Sequence, residues 1–271
     1  MKELSLHEIW DVSLEILVEV DSFCRKNNIR YSLAGGTLLG AVRHGGFIPW
    51  DDDIDIMMPR PDFDKFCKTY NGINSKCYSI ASGNSYVPFA RVCDTKITLA
   101  HSYLPWATEE MGLWIDVFPI DGIADDKEMF LSKKTQIEKF YNKMYLTRSK
   151  YAKFSFNRSL IWNLKVLIKK IIYSQNDVFE LMNKYWDIVK ISDFSSSEYC
   201  GQLAFPCYYP KEYYPTKWFS EYVEMQFCGK SFWGIKDYDA YLSNYFGDYM
   251  QLPPIDQQVP KHSEHTFFWK E

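Results

Sequence analysis

Apolar and polar positions alternate with the period of an amphipathic helix in the N-terminal part of the chain. Ser5 and Glu8 form an S-x-x-E capping box ahead of this pattern, which is typical of a helix start. The apolar positions recur at helical spacing, at Ile9, Ile16, Leu17, Val20 and Phe23. The pattern predicts a helix that ends near Asn27 and Asn28.

Between residues 29 and 70 the pattern predicts a strand, a turn and a helix, followed by a second strand and a second helix. Residues 29–34 are apolar-rich and run into Gly35 and Gly36, after which the helix-compatible run TLLGAV follows. In FIPWDDDIDIMMP, Asp53 and Asp55 alternate with isoleucines, which is the period of a strand with two unlike faces. The next helix is expected from residue 61 to about residue 70.

After residue 70, the sequence pattern predicts further strands and then a helical region. VPFARVCDTKITLA and GLWIDVFPI have the composition of two more strands, the second breaking at Pro119. Residues 125–190 have helical spacing, and the tail from Trp218 onward is rich in aromatic residues. These elements predict an α/β (α+β) fold, in which a mixed β-sheet core with flanking helices precedes a mostly helical, aromatic-rich second half.

Composition and charge exclude several classes of protein. The chain has 271 residues and a net charge of −4, which provides no field that attracts a polyanion, so nucleic-acid binding is not expected. Its seven cysteines have no C-x-x-C spacing, which favours neither a zinc site nor a disulfide framework. No signal-peptide pattern and no apolar run of about 20 residues is present. We therefore expect a cytoplasmic protein with reduced thiols.

A basic and apolar stretch lies within the helical region. In NRSLIWNLKVLIKKIIY, many bulky apolar residues accompany Arg158, Lys165, Lys169 and Lys170. Such a helix can lie on an anionic membrane surface, which would place the protein peripherally at the inner face of the cell membrane. It can also be a core helix whose lysines reach solvent. We favour the core interpretation because buried helices with lysine edges are commoner.

Asp51, Asp53 and Asp55 share strand parity, so a strand through all three would project their carboxylates on one side. Clustered carboxylates raise one another's pKa, and a hard divalent cation bound through oxygen keeps them ionised together. We therefore expect Mg²⁺ or Mn²⁺ to bind here. A solvated acidic loop and a calcium site are the alternatives.

The glycine pair upstream of the acidic run has the features of a phosphate-binding turn. Between a strand and a helix, Gly35 and Gly36 would let backbone N–H groups approach an anion closely. Thr37 and Arg43 follow within one helix, and a guanidinium pairs with phosphate in bidentate geometry. An ordinary surface salt bridge is the alternative for Arg43. His44 is a further candidate.

Asp116 is a lone carboxylate between Ile115 and Val117 in an apolar strand. Burying it without a partner would be unfavourable. It therefore joins the metal site or accepts a local hydrogen bond, and its apolar surroundings favour the metal site. Three carboxylates from two neighbouring strands suit metal-assisted in-line displacement at phosphorus, in which a carboxylate takes the proton of the attacking hydroxyl.

The run LAGGTLLGAVRHGGFIPWDDDIDIMMPRPDF resembles the LicD family of phosphocholine transferases. That family belongs to the nucleotidyltransferase-fold superfamily and includes the fukutin-related proteins. The superfamily pattern is a glycine pair, then Asp-x-Asp on one strand, then a third Asp on another. Here the pattern matches Gly35 and Gly36, then Asp53 and Asp55, then Asp116. IDVFPID, which ends at Asp121, and YFGDYMQLPP also resemble family motifs.

The resemblance implies a nucleotidyltransferase-like catalytic core in residues 1–124 and a substrate-binding region in residues 125–271. It further implies that phosphocholine passes from CDP-choline to a sugar hydroxyl of a cell-surface glycan precursor, of the teichoic acid or lipopolysaccharide type. CMP leaves, and magnesium is required. A lipid-linked glycan is one form that this acceptor takes.

Three other hypotheses remain open. Relatives are thought to transfer ribitol phosphate or similar polyol phosphates, so another CDP-linked donor fits the same motifs. Transfer of a nucleotide could use the same three aspartates. A non-catalytic glycan- or membrane-binding module is the third hypothesis. The intact acidic residues argue against it, because repelling carboxylates without a cation cost stability.

Further site candidates complete the prediction. A quaternary ammonium group could be received by aromatic faces, the candidates being Trp50, Trp106, Trp114, Trp218 and Tyr249. Arg91 could hold the donor phosphates, with structural pairing to an acidic neighbour as the alternative. On a helix, the rings of His262 and His265 would lie on adjacent turns and could complete the site or bind a second metal. A surface position is the commoner alternative for such histidines.

Overall fold

A computed structural model of the chain describes residues 1–82, 84–85, 88–102, 111–123, 127–148, 159–190, 192–204, 211–259 and 265–271. The helices of these residues are α1 (Leu6–Asn27), α2 (Gly35–His44), α3 (Arg60–Thr69), α4 (Lys127–Arg148), α5 (Leu160–Tyr173), α6 (Val178–Val189) and α7 (Tyr238–Phe246). The strands are β1 (Ser32–Leu33), β2 (Asp55–Pro59), β3 (Ser75–Ser79), β4 (Ala90–Asp94), β5 (Thr98–Ser102), β6 (Trp114–Ile123), β7 (Tyr199–Gly201), β8 (Tyr214–Pro215), β9 (Tyr222–Phe227), β10 (Lys230–Ile235) and β11 (His265–Trp269).

One mixed sheet organises the fold. Its strands follow the order β1-β2-β6-β4-β3, and β7 and β8 extend it from the C-terminal part of β6. β2 and β6 are parallel, whereas β1 and β4 pair antiparallel with β2 and β6. β9 and β10 form a hairpin, and β11 pairs with β5. This architecture confirms the predicted mixed α+β fold.

The first helix has the predicted boundaries. The Ser5 hydroxyl accepts a hydrogen bond from Glu8 N–H, and the Glu8 carboxylate accepts one from Ser5 N–H, which completes the capping box. Asn28 ends the helix in the left-handed conformation, with φ of 50°. α1 thereby presents an apolar face, including Leu17 and Val20, to the main core.

Two details of the predicted strands are wrong. The strand expected through Asp51, Asp53 and Asp55 begins only at Asp55, because Asp51 N–H donates to Ile48 O in a turn (2.9 Å) and adjacent aspartates disfavour extended pairing. β6 does not break at Pro119 but continues to Ile123. Pro119 lies between the segment that pairs with β4 and the segment that pairs with β7. Its missing N–H therefore interrupts neither of those ladders.

The main hydrophobic core draws on both halves of the chain. Leu17, Val117, Phe232 and Tyr241 all belong to it, and β7 and β8 continue the sheet that β2 and β6 begin. The division between residues 1–124 and 125–271 stays a prediction.

The helical region from α4 to α6 is confirmed, but the interpretation of α5 as a core helix is wrong. None of its residues, all of which the structure describes, is buried. Among the described residues, α5 contacts α4 along one edge, where Lys170 Nζ donates to Leu146 O (2.7 Å). Arg158 lies outside the described residues.

Two further observations concern the chain as a whole. Among the described helices, none is long and apolar enough to cross a membrane. The six cysteines that the structure describes are free thiols.

Candidate functional site

The site is centred on paired positions of two parallel strands. Asp55, the first residue of β2, lies opposite Asp116 of β6 in the β-ladder. The Asp116 N–H donates to Ile54 O (2.9 Å), and the Ala34 N–H donates to Asp55 O (3.0 Å). Backbone pairing thus fixes both aspartates, and the predicted meeting of carboxylates from two neighbouring strands is confirmed.

The start of α2 positions Asp55 from the other side. The Thr37 hydroxyl accepts a hydrogen bond from Asp55 N–H (2.8 Å). Gly35 has φ of +47°, and a Cβ there would meet Asp55 Oδ2 at 3.5 Å. The Gly35 N–H donates to the Tyr241 hydroxyl (3.3 Å). Because a side chain rarely adopts this backbone conformation, Gly35 lets the turn pass close to the Asp55 carboxylate.

Gly36 has a separate role in the packing of the acidic run. A Cβ at Gly36 would lie 2.6 Å from Asp51 Oδ2, which is closer than real contacts allow. The first intrahelical hydrogen bond of α2 runs from Leu38 N–H to Ala34 O (3.0 Å), so the Gly36 and Thr37 N–H groups precede the helical ladder. The glycine pair therefore leaves room for the Asp51 carboxylate beside a helix N-terminus.

Asp51, Asp52 and Asp53 form a group that the strand prediction did not anticipate. Each offers a carboxylate oxygen, and these oxygens lie within 4.8 Å of one another. In a regular strand, Asp52 would point away from its two neighbours. Because residues 51–54 precede β2, the three side chains can approach the same point.

Arg91 is a buried cation that contacts one of the paired aspartates. It lies opposite Asp116 on β4, and its Nε donates to Asp116 Oδ1 (2.9 Å). The guanidinium stacks 4.2 Å from the Trp114 ring centroid. Arg91 is 3% exposed, and within the described part of the chain its Nη1 has no hydrogen-bond partner. The structure thus shows the pairing with an acidic neighbour that was the alternative for Arg91, whereas phosphate binding by Arg91 stays a prediction.

The electrostatics of the site centre on Asp55. Burial raises the pKa of the Asp55 carboxyl well above its ordinary value, and the charges of Asp53, Asp116 and Asp51 raise it further. Arg91 acts in the opposite direction but less strongly. Burial and the neighbouring carboxylates therefore disfavour the ionised form of Asp55.

The residues present fit a hard divalent cation. Oxygens within 4.8 Å of one another can share one ion, because metal–oxygen distances for Mg²⁺ and Ca²⁺ are about 2.0 to 2.6 Å. A bound cation would also favour the ionised form of the clustered carboxylates. The fit rests on carboxylate chemistry and does not by itself select the metal.

A cavity of about 490 Å³ opens over the acidic cluster. Six predicted site residues line it, namely Gly36, Arg43, Trp50, Asp51, Asp53 and Asp55. Sequence reasoning missed most of the opposite wall, which is formed by Phe246, Asp248, Tyr249, Gln251, Leu252, Pro253, Pro254 and Gln257. Most of these residues fall in YFGDYMQLPP. The resemblance of that motif to the family was the sequence signal for these residues, but among them only Tyr249 is a candidate in the sequence analysis.

Arg43 connects the two walls. Its Nη1 donates to the backbone oxygens of Tyr249 (2.8 Å) and Gln251 (3.3 Å). The side chain thus fixes the loop after α7, and direct phosphate binding by its remaining N–H groups stays a prediction. His44 is exposed, and its ring lies edge-on to Trp50 with a centroid separation of 6.4 Å. Partial desolvation of its ring, and secondly the charge of Arg43, lower the pKa of His44.

Asp121 lies away from the cavity on the same strand as Asp116. Its carboxylate accepts two hydrogen bonds from Arg60, from Nε to Oδ1 (2.5 Å) and from Nη2 to Oδ2 (2.8 Å). The guanidinium stacks on Trp186, 4.4 Å from the ring centroid. Because Asp116 and Asp121 differ in strand parity, their side chains leave opposite faces of the sheet.

His265 does not lie on the helix that was predicted for the histidine pair. His265 begins strand β11, where it pairs with Ser102 of β5, because the tail completes a two-stranded ladder there. Its ring contacts Trp114 edge-on (centroid separation 4.8 Å), so it covers the tryptophan that stacks on Arg91. His262 lies outside the described residues.

The aromatic candidates separate by location. Trp50 and Tyr249 line the cavity, whereas Trp114 is buried against Arg91. Trp218 stacks on Tyr214 (centroid separation 5.9 Å). Trp106 lies outside the described residues.

Comparison with known proteins decides the family. The sequence model described as "LicD/FKTN/FKRP, nucleotidyltransferase domain" matches residues 28–166, just over half of the chain. The chain belongs to the LicD family. The matched segment contains the Gly35–Gly36 turn, the acidic run, Arg91 and Asp116. The family resemblance drawn from these motifs is therefore confirmed.

Curated relatives extend this similarity. Lipopolysaccharide cholinephosphotransferase LicD of Haemophilus influenzae is 30% identical over 281 aligned residues, which cover 98% of this chain and 99% of the relative. Ribitol 5-phosphate transferase FKRP of human is 64% identical over 28 residues, 10% of this chain and 6% of the relative. An uncharacterised protein of Rickettsia typhi is 38% identical over 92 residues, 34% of this chain and 28% of that protein.

Proposed function

We propose that this LicD-family protein transfers phosphocholine from CDP-choline to a sugar hydroxyl of a cell-surface glycan precursor. The observation that carries the proposal is its similarity to a lipopolysaccharide cholinephosphotransferase over nearly the full length of both chains. The acidic cavity supports the same reaction, because it brings clustered carboxylates to a helix N-terminus. Lipopolysaccharide and teichoic acid precursors are the acceptor classes that we propose.

The reaction exchanges one P–O bond for another. The acceptor hydroxyl oxygen attacks the phosphorus that carries choline and forms a new P–O bond. The pyrophosphate bond to the cytidylyl phosphate breaks, and CMP leaves with the bonding electron pair. A carboxylate of the site takes the hydroxyl proton. Asp53 and Asp55 line the cavity, so they are better placed than Asp116 to meet an acceptor.

Magnesium, or manganese in its place, would be held by Asp53 and Asp55 with support from Asp116. Asp51 and Asp52 would offer further oxygens, because these lie within 4.8 Å of an Asp53 oxygen. When bound, such an ion neutralises the donor phosphates and the charge that develops during displacement. The chain's own contribution is positional. Thr37 holds the Asp55 backbone, and Arg91 holds Asp116.

The cavity walls suggest how the two ends of the donor bind. Gly36 at the N-terminus of α2 and Arg43 line one side, and both suit an anionic diphosphate. Trp50, Phe246 and Tyr249 offer aromatic faces in the same cavity as the Asp248 carboxylate. Aromatic faces together with a carboxylate suit a quaternary ammonium group. We therefore assign the choline head group to the part of the cavity that these four residues line.

A second candidate substrate rests on a separate observation. The short but strong identity to a ribitol 5-phosphate transferase favours a CDP-linked polyol phosphate as the alternative donor. Transfer of the nucleotide itself would use the same carboxylates, but it would attach the cytidylyl group of the donor to the acceptor in place of phosphocholine.

Product analysis tests the proposal. The purified protein is incubated with Mg²⁺, CDP-choline and choline-free lipopolysaccharide or teichoic acid, and the acceptor is then examined by mass spectrometry. We expect the acceptor to gain phosphocholine while CMP is released. Gain of a cytidylyl group, or transfer from CDP-ribitol or CDP-glycerol but not from CDP-choline, would refute the assignment.

A further inference from the structure

Helix α5 presents a continuous apolar face that the described part of the chain leaves uncovered. The exposed apolar side chains recur at helical spacing, at Leu160, Ile161, Leu164, Leu167, Ile168, Ile171 and Ile172. Leu160 is 86% exposed and Ile171 is 59% exposed. A contiguous apolar surface of this kind on a folded chain marks an interaction site.

The opposite edge of α5 fixes the direction in which this face points. Asn163, Val166, Lys170 and Tyr173 are only partly exposed. Lys170 Nζ donates to the backbone oxygens of Leu146 (2.7 Å) and Thr147 (3.3 Å) at the end of α4. The Thr147 hydroxyl donates to Tyr173 O (3.0 Å). One edge of α5 is therefore attached to α4, and the apolar face turns away from it.

The charge of α5 indicates what covers the apolar face. The helix contains three lysines and no acidic residue, although the whole chain carries a net charge of −4. Lys165 and Lys169 are exposed, and at about 100° of rotation per residue they lie along one border of the apolar face. An apolar face with a lysine border matches a surface that offers acyl chains beneath anionic head groups.

The dimensions of α5 fit a helix that lies in such a surface. Its 14 residues span about 21 Å at about 1.5 Å per residue. A membrane-spanning helix needs about 20 apolar residues, so α5 is too short and too charged to cross.

We infer that α5 is an interfacial helix that docks the protein on an anionic lipid surface. The lipid covers the apolar face, Lys165 and Lys169 contact the anionic head groups, and Lys170 stays bound to the end of α4. This inference concerns binding alone and holds whichever donor the protein uses.

Vesicle co-sedimentation of the full-length protein tests this inference. One set of vesicles contains equal parts phosphatidylglycerol and phosphatidylcholine, and the other contains phosphatidylcholine alone. Lys165→Gln/Lys169→Gln removes the basic border, with Lys217→Gln/Lys230→Gln as a control of equal charge on another surface. Leu164→Gln/Ile168→Gln interrupts the apolar face, with Ile73→Gln/Ile97→Gln as the control for exposed isoleucines elsewhere.

We expect the wild type to bind the anionic vesicles at low salt and to bind the neutral vesicles weakly. Each lost lysine should reduce partitioning about fivefold, and the apolar double variant should reduce it on the order of tenfold or more. The control variants should bind as the wild type does. All variants should keep the wild-type circular dichroism spectrum, because the substituted side chains are exposed.

Three results would overturn the inference. The first is failure of the wild type to bind anionic vesicles at low salt. The second is equal loss of binding in the control variants, which would mean that α5 is not the docking surface. The third is a dimer in analytical ultracentrifugation that Leu164→Gln/Ile168→Gln dissociates without changing vesicle binding, which would assign the face to a second copy of the chain.

Discussion

Asp55 and Asp116 occupy directly paired positions on the parallel strands β2 and β6. Arg91 faces Asp116 from the opposite side and donates a hydrogen bond to its carboxylate, whereas Asp55 borders the cavity. The two aspartates therefore have different surroundings within one sheet. One is held by a buried arginine, and the other shares its space with Asp51 and Asp53.

Replacing Asp55 or Asp116 with asparagine should abolish transfer while preserving the fold. We expect kcat/KM to fall on the order of a thousandfold, because a carboxylate that would help to hold the cation would contribute several kcal/mol to catalysis. We expect Mg²⁺ to raise the melting temperature of the wild type, and Asp55→Asn should remove that rise. Asp187→Asn, an exposed aspartate on α6, is the matched control. Near-normal turnover in Asp55→Asn would contradict the assigned site.

Thr37→Val should lower both stability and kcat, because it removes the hydroxyl that accepts a hydrogen bond from Asp55 N–H. Asp55 N–H would lose its hydrogen bond to the Thr37 hydroxyl, which is buried, at a cost of about 1 to 3 kcal/mol in the free energy of unfolding. A displaced Asp55 should lower kcat on the order of 10- to 100-fold. Thr37→Ser keeps the hydroxyl and should restore most of both quantities. Equal kcat values for the valine and serine variants would show that the hydroxyl does not position Asp55.

Trp50→Leu should selectively weaken binding of the choline donor. A cation–π contact contributes about 0.5 to 2 kcal/mol, so the Kd for CDP-choline should rise by a factor of about 2 to 30. The Kd for CDP-glycerol, which has no ammonium group, should stay unchanged. Trp50→Phe keeps an aromatic face and should show a smaller effect, and Trp218→Leu tests a tryptophan outside the cavity. If both donors weakened equally, Trp50 would have a structural role only.

Asp121→Asn should lower the free energy of unfolding of the protein without changing donor binding. The Arg60 guanidinium is buried against Trp186. Without the Asp121 carboxylate it keeps only the longer contact to Asp64 (3.4 Å), and breaking a buried ion pair costs up to about 3 to 5 kcal/mol. The double variant Arg60→Met/Asp121→Leu should recover much of that loss in urea denaturation. A Kd for CDP-choline that rises with Asp121→Asn would instead connect Asp121 to the site.

Local patterns were sufficient to predict the N-terminal helix, the glycine turn and the carboxylate pair. The capping box of Ser5 and Glu8 and the alternation around Asp55 depend on neighbours in sequence, so their structural meaning could be read directly. The regular strand drawn through Asp51 and Asp53 was wrong, because strand parity alone does not report where a turn ends. The actual start at Asp55 brought Asp52 into the acidic group.

Features that depend on distant contacts could not be predicted. The second wall of the cavity comes from the loop after α7, and Arg43 holds that loop through two backbone oxygens more than 200 positions away. The exposure of α5 was also mispredicted, because its apolar periodicity is equally compatible with a core helix and an unpartnered one. Only the packing on α4 distinguishes these two arrangements.

Calorimetric titration with CDP-choline, CDP-glycerol and CDP-ribitol, each with and without Mg²⁺, tests the central claim most directly. We expect CDP-choline to bind tightly only in the presence of Mg²⁺, and the Asp55→Asn variant to lose this binding. Preferential binding of another donor, or binding of CDP-choline that is indifferent to Mg²⁺, would contradict the proposed metal-dependent phosphocholine transfer.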